Sequence, residues 1–163
     1  MMDNAIEPGL IELIKRGGGF HIIPGTSPQE LLTSLIGGIY LPPSVDRTVL
    51  LNAVLEREAL MTTAVGSGIA LPHPRNPLIT DPAEQFVTLA YTEQGLNWEA
   101  LDGKPVHTVM LIVSASAKMH LHTLSRINFF CQQESFRALL GKRAPAADIL
   151  KAIEEIEQTW GNS

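Results

Sequence analysis

Val106-His107-Thr108-Val109-Met110-Leu111-Ile112-Val113 is a strand-length run, almost continuously apolar toward its end, with a potential helix-capping serine at Ser114 or Ser116 just beyond it. Such a run reads as a β-strand covered on both faces. Upstream, Leu101-Asp102-Gly103-Lys104-Pro105 is a turn signal, and Phe86-Val87-Thr88-Leu89-Ala90-Tyr91 reads as a second strand. Downstream, Met119, Leu121, Leu124, Ile127 and Phe130 fit one helix, and helical stretches follow at about 134–141 and 145–158. Toward the N-terminus, Ile6, Leu10, Ile11, Leu13 and Ile14 are spaced as a helix over 5–15 that Gly17-Gly18-Gly19 stops. Phe20-His21-Ile22-Ile23 reads as a short strand. Ser27-Pro28-Gln29-Glu30 is a capping box with proline at the first helical position, and Asp46 caps a helix running to about Leu60, with Val45 and Leu50 as a hydrophobic staple. Strands interleaved with capped helices predict a layered α/β domain.

Composition narrows the function. The chain has 163 residues, 45% of them hydrophobic, and lacks a long linker or an internal repeat, so one domain over 1–163 is expected. A formal net charge of −5 argues against a nucleic-acid or anionic-membrane surface and points to proteins or small molecules as partners. Cys131 is the single cysteine, so a disulfide within the chain and a cysteine metal cluster are excluded, which fits a reducing cytoplasm. The N-terminus carries Asp3 and Glu7 and does not read as a signal peptide, and no apolar stretch reaches the roughly 18 residues of a membrane span.

The chemistry concentrates in Thr62-Thr63-Ala64-Val65-Gly66-Ser67-Gly68-Ile69-Ala70-Leu71-Pro72-His73-Pro74-Arg75. Pro72 and Pro74 hold His73 in a stiff, non-helical segment. With an ordinary pKa of about 6.5, its imidazole is largely neutral near pH 7 and keeps a lone pair for nucleophilic attack. Gly66 and Gly68 offer backbone N–H groups that an anion can approach. The competing reading is an exposed loop histidine between two turn prolines. His120, in the first turns of a helix opened by Ser116, sits where an anion is favoured, or else packs at the core edge beside Leu124 and Ile127. Arg57 can grip a phosphate through paired hydrogen bonds or simply satisfy the end of its helix, and Arg75 carries the same ambiguity. His107 and His21 fall in strand patterns and read as packed or surface residues. His120 and His122 point about 200° apart on a helix, which makes joint metal binding awkward; no metal and no cofactor is expected. Neither a phosphate-binding Walker loop nor a G-x-S-x-G elbow occurs.

From Arg57 to His73 the chain strongly resembles the active-site segment of the type-2 enzyme IIA domains of the bacterial phosphoenolpyruvate-dependent phosphotransferase system, the fructose, mannitol and nitrogen-regulatory group. The stretch Gly95–Val106 resembles that family's turn before its central strand, and His120-Leu121 with Leu124 resembles its second histidine on a helix. The likeness spans about 27–158. It implies a three-layer α/β/α sandwich with a mixed β-sheet; the segment at about 1–19, ahead of the likeness, reads from its own periodicity as an N-terminal helical extension. It further implies a phosphoryl-accepting His73 assisted by Arg57 and His120, and the phosphocarrier protein HPr as donor. The onward acceptor it implies is a IIB partner in sugar uptake, or else the phosphate serves as a regulatory signal. Cys131 does not align with the IIB cysteine and reads as helix packing. Pro74-Arg75-Asn76-Pro77 after His73 and Lys118-Met119 before His120 depart from the common pattern and bear on subgroup and partner. Two alternatives stand beside the relay: a regulatory protein-binding module without onward transfer, and a scaffold that is never phosphorylated.

Overall fold

The computed structural model describes residues 8–18 and 20–161. Its centre is the run that opened the sequence reading: Val106–Val113 forms β5, buried along nearly its whole length. Beside it lies β4, Phe86–Leu96, antiparallel to β5 with Val87 opposite Ile112 and Ala90 opposite Val109. This strand runs five residues beyond the expected Tyr91; the register shifts between Tyr91 and Leu96, so an irregularity carries the pairing onward to Val106. On the far side of β4, β1 (Phe20–Ile23) pairs in parallel.

On the other side of β5 the segment approaching His73 folds into a small hairpin, β2 (Ala64–Gly66) and β3 (Ile69–Ala70), for which no strand was expected. Two- and three-residue strands are too short for a period to register in sequence. Because β3 runs parallel to β5, the sheet is mixed, in the order β1-β4-β5-β3-β2.

Among the described residues six α-helices cover the two faces. The capping box opens α2 (Pro28–Gly38), where Ser27 accepts the Glu30 N–H, and Asp46 opens α3 (Arg47–Leu60) by accepting from Val49. These pack on one face: Leu31, Leu35, Leu50 and Val54 meet Phe86, Ala90, Val109, Leu111 and Val113. The opposite face, with Val87, Leu89, Tyr91, Met110 and Ile112, is covered from α1 (Leu10–Gly17), α4 (Ala117–Cys131), α5 (Glu134–Gly141) and α6 (Ala146–Gly161) by residues such as Leu13, Ile127, Phe136 and Ile153. Successive β5 residues thus alternate between two cores, the cause of the unbroken apolar run. The result is a three-layer α/β/α sandwich.

Within the described residues α1 starts at Leu10, later than the periodicity suggested, with Pro8 and Gly9 immediately before it; residues 5–7 lie outside the described part. It ends where Gly18 turns into the left-handed region at φ 64°. Gly17 lies directly against β4, where a Cβ would meet the Val87 carbonyl oxygen at 2.0 Å.

Candidate functional site

The last residues before the site are held as an extension of the sheet. The carbonyl of Pro72 accepts the Ile112 N–H at 3.0 Å, so the chain leaves β3 still paired with β5 and releases His73 at the carboxyl end of both parallel strands. Open α/β sheets place ligands at such strand ends. From the same end of β5, Ser114 and Ala115 lead to Ser116, whose side chain caps α4 by accepting the Met119 N–H. His120 therefore sits one turn into α4, above the end of the strand.

These two routes bring the imidazoles together. The ring centroids of His73 and His120 are 4.3 Å apart with planes inclined at 47°. His73 lies between buried prolines yet is only half-buried itself. Its Nδ1 lies 2.8 Å from the carbonyl oxygen of Leu71. A carbonyl only accepts, so Nδ1 carries the proton and Nε2 is left with the lone pair.

Electrostatics keep both rings neutral. Burial pulls the His73 pKa below its ordinary value; the Leu71 hydrogen bond works against this, Arg57 lowers it further and Glu58 raises it. His120 is pushed down to about 4 by burial, then by His73 and by Arg57. Arg57, in the last turn of α3, donates through Nη1 to the Met61 carbonyl at 2.7 Å, so it does finish its helix. It also projects its charge on both imidazoles. A groove of about 510 Å³ beside it is lined by Arg57, Leu60, Arg75 and Leu78 among others. A second hollow of about 190 Å³ is lined by Pro74, Arg75, Ile112 and His120. Arg75 borders both, and Leu60, Met61 and Leu121 stand exposed nearby.

The glycines do not join this cluster. Gly66 and Gly68 flank the turn of the β2–β3 hairpin with φ of 92° and 81°, and the Gly68 carbonyl accepts from His107 and Thr108 at the start of β5. Gly68 and His73 are thus at opposite ends of the same strand line, roughly 16 Å apart at the usual rise per residue. The Ser67 N–H between the two glycines is taken by the Asp102 carboxylate at 2.8 Å. Gly68 has a packing reason to be glycine: a Cβ there would lie 2.3 Å from His107 Nε2. An anion at His73 is out of their reach.

Of the remaining histidines, His107 packs in β5 with Nδ1 2.7 Å from Thr108 Oγ1. The His122 Nε2 accepts from Arg126 at 3.0 Å. His21 falls in β1, and its side chain lies outside the described residues. Among the described residues no three His, Cys, Asp or Glu side chains converge in a cluster able to hold a metal. Cys131 is largely buried, its thiol pushed up to about 12 by burial.

Sequence reading assigned no role to Glu58. Its Oε2 accepts the Thr63 N–H at 2.8 Å and its Oε1 accepts the Thr63 hydroxyl at 2.6 Å. The only signal for it in sequence is its position next to Arg57.

Residues 27–156 match the family described as "Phosphoenolpyruvate-dependent sugar phosphotransferase system, EIIA 2", and the chain belongs to that family. It is a phosphotransferase-system enzyme IIA component. The chain is 34% identical over 113 residues to the "PTS system fructose-specific EIIA component" of Haloferax volcanii, a match covering 68% of this chain and 71% of that protein. It is 28% identical over 147 residues to the "Nitrogen regulatory protein" of Pseudomonas aeruginosa, covering 88% and 93%. The "PTS system fructose-specific EIIABC component" of Bacillus subtilis is 34% identical over 97 residues, covering 58% of this chain but only 15% of that much longer protein. In fold, the nitrogen regulatory protein IIA-Ntr of Neisseria meningitidis superposes with a TM-score of 0.70 at 22% identity, covering 82% of this chain and 92% of its own.

Proposed function

We propose that this domain is a cytoplasmic phosphohistidine carrier that accepts a phosphoryl group from HPr on Nε2 of His73 and surrenders it to a IIB protein or holds it as a regulatory signal. The observation that carries this reading is the Nδ1–H···O=C bond to Leu71 beside the His120 ring, which leaves Nε2 as the nucleophile.

Phosphoryl transfer passes through a loose transition state with charge on the peripheral oxygens, so positioning and compensating donors supply most of the catalysis. In transfer from a phosphohistidine donor, the His73 Nε2 lone pair forms the new P–N bond while the donor nitrogen takes back the electrons of the old one. Positive charge builds on the His73 ring, and its Nδ1 proton stays on the ring, donated to the Leu71 carbonyl. Arg57, with donors beyond the one given to Met61, faces the phosphoryl oxygens. Neutral His120 offers a ring N–H without adding a second cation next to the charging ring. The exposed Leu60, Met61 and Leu121 beside Arg57 and Arg75 make a rim suited to a protein partner with an acidic, apolar face.

The decisive experiment is incubation with phosphoenolpyruvate, enzyme I and HPr. Wild type should take up an acid-labile, base-stable label, and His73→Ala should take up none. Label on the His73→Ala variant overturns the assignment. The regulatory reading is favoured by the match over 93% of the length of a nitrogen regulatory protein. Chasing the label separates the two branches: loss to a IIB protein supports transport, and retention with phosphorylation-dependent capture of another protein supports control.

A further inference from the structure

The bonds behind His73 form one continuous line that begins on α3. The Glu58 carboxylate grips Thr63 by both its N–H and its hydroxyl. The carbonyl of that same Thr63 accepts the Leu71 N–H at 3.0 Å. The carbonyl of Leu71 then accepts Nδ1–H of His73 at 2.8 Å. Thr63 is buried, and its neighbour Thr62 is tied separately, donating to the Trp98 carbonyl at 2.6 Å while accepting the Ala64 N–H at 3.1 Å. The loop between α3 and β2 is therefore pinned in place on both its threonines.

We infer that Glu58 is a positioning residue for phosphoryl transfer: by clamping Thr63 it fixes the Leu71 peptide, which selects the His73 tautomer with Nδ1 protonated and Nε2 free. The inference rests on the proposed role of His73. Imidazole nucleophiles and ligands are commonly oriented by the partner of their second nitrogen, and loss of such a partner costs about 10- to 100-fold in function. Here the partner is a backbone carbonyl, which no side-chain substitution removes directly. The carboxylate that sets the direction of that carbonyl lies two hydrogen bonds further back.

Glu58 also acts through charge. It favours a cationic His73, opposing Arg57 next to it on α3. As the P–N bond forms and the ring becomes positive, a nearby carboxylate favours the change. A single side chain thus orients the ring and eases its charging.

The test uses the whole unphosphorylated protein and reads the His73 tautomer from its imidazole ¹⁵N shifts, beside the rate of transfer from phosphorylated HPr. In the wild type, Nδ1 is expected as the protonated nitrogen and Nε2 as the bare one. In Glu58→Ala this preference should collapse to a mixture and transfer should fall about 10- to 100-fold. Glu58→Gln keeps an acceptor for the Thr63 N–H but loses the charge, so the tautomer should survive while the His73 pKa drops further. Thr63→Val leaves the backbone bonds and removes one grip, with an intermediate result expected. A folded Glu58→Ala variant with the wild-type tautomer and rate overturns the inference. If that variant does not fold, an unmoved His73 pKa in Glu58→Gln together with an unmoved tautomer in Thr63→Val overturns it instead. Failure of the wild type to label at His73 refutes the carrier reading and with it the part Glu58 plays in transfer, while the tautomer, measured without transfer, still decides whether Glu58 orients the His73 ring.

Discussion

At the scale of single residues, the site works by keeping two imidazoles uncharged beside a guanidinium. In the proposed carrier role the nucleophile is the neutral form of His73, whose pKa lies below the ordinary imidazole value. The single-turnover transfer rate should therefore be flat through neutral pH and fall only as pH drops below about 6.5, the ordinary value. A rate that already declines between pH 8 and 7 contradicts this. Arg57→Ala should slow transfer about 100-fold, the usual cost of one lost electrostatic donor, while stability falls only by the roughly 1 kcal/mol of its bond to Met61. His120 makes a separate, thermodynamic prediction. Its folded-state pKa is about 4, so between that value and about 6.5 the unfolded chain binds a proton that the native protein refuses. Stability should fall as pH drops through this window and level off below it. Urea melts at pH 7 and pH 5 should differ less for His120→Gln than for the wild type.

At the scale of elements, the termini of helices and strands do the placing. Arg57 and Glu58 ride on the last turn of α3, and His120 on the first turns of α4, and both helices are started by side-chain caps, Asp46 and Ser116. Losing the Asp46 cap should cost about 1 kcal/mol. Gly17 belongs to the same scale. Replacing a helical glycine by alanine normally stabilises by up to about 1 kcal/mol, yet here the new methyl would enter the Val87 carbonyl. Gly17→Ala should instead destabilise by about 1–3 kcal/mol in denaturant unfolding, the usual range for overpacking. Helix starts were legible because capping is a local pattern: Ser27-Pro28-Gln29-Glu30 can be recognised without any partner. The β2–β3 hairpin was not, because its two short strands exist only through pairing with β5 and with each other.

At the scale of the molecule, two cores on either side of one sheet hold the site's three contributors in register. The family match begins at residue 27, but α1 lies within the core that includes Val87, Leu89 and Ile112. We therefore propose that the described residues, α1 included, belong to one IIA-like domain. A chain starting at Phe20 would keep β1 and bare the sheet face under α1. It should melt well below the full chain and bind a hydrophobic dye; equal stability would make the extension dispensable.

The residue types and local patterns alone determined much: an α/β layering, most helix boundaries, and a single histidine clamped by prolines sixteen positions after the start of its signature at Arg57. They also misplaced the glycines, since closeness along the chain suggested closeness to His73, whereas an extended strand carries each residue about 3.3 Å further from its neighbour. Only the tertiary structure decided that His120, far along the chain, stands 4.3 Å from His73, and that Glu58 reaches it through Thr63 and Leu71. The physical reason is that caps and periodicities are written in neighbouring residues, while the direction of a carbonyl or the meeting of two rings is set by strand register across a sheet.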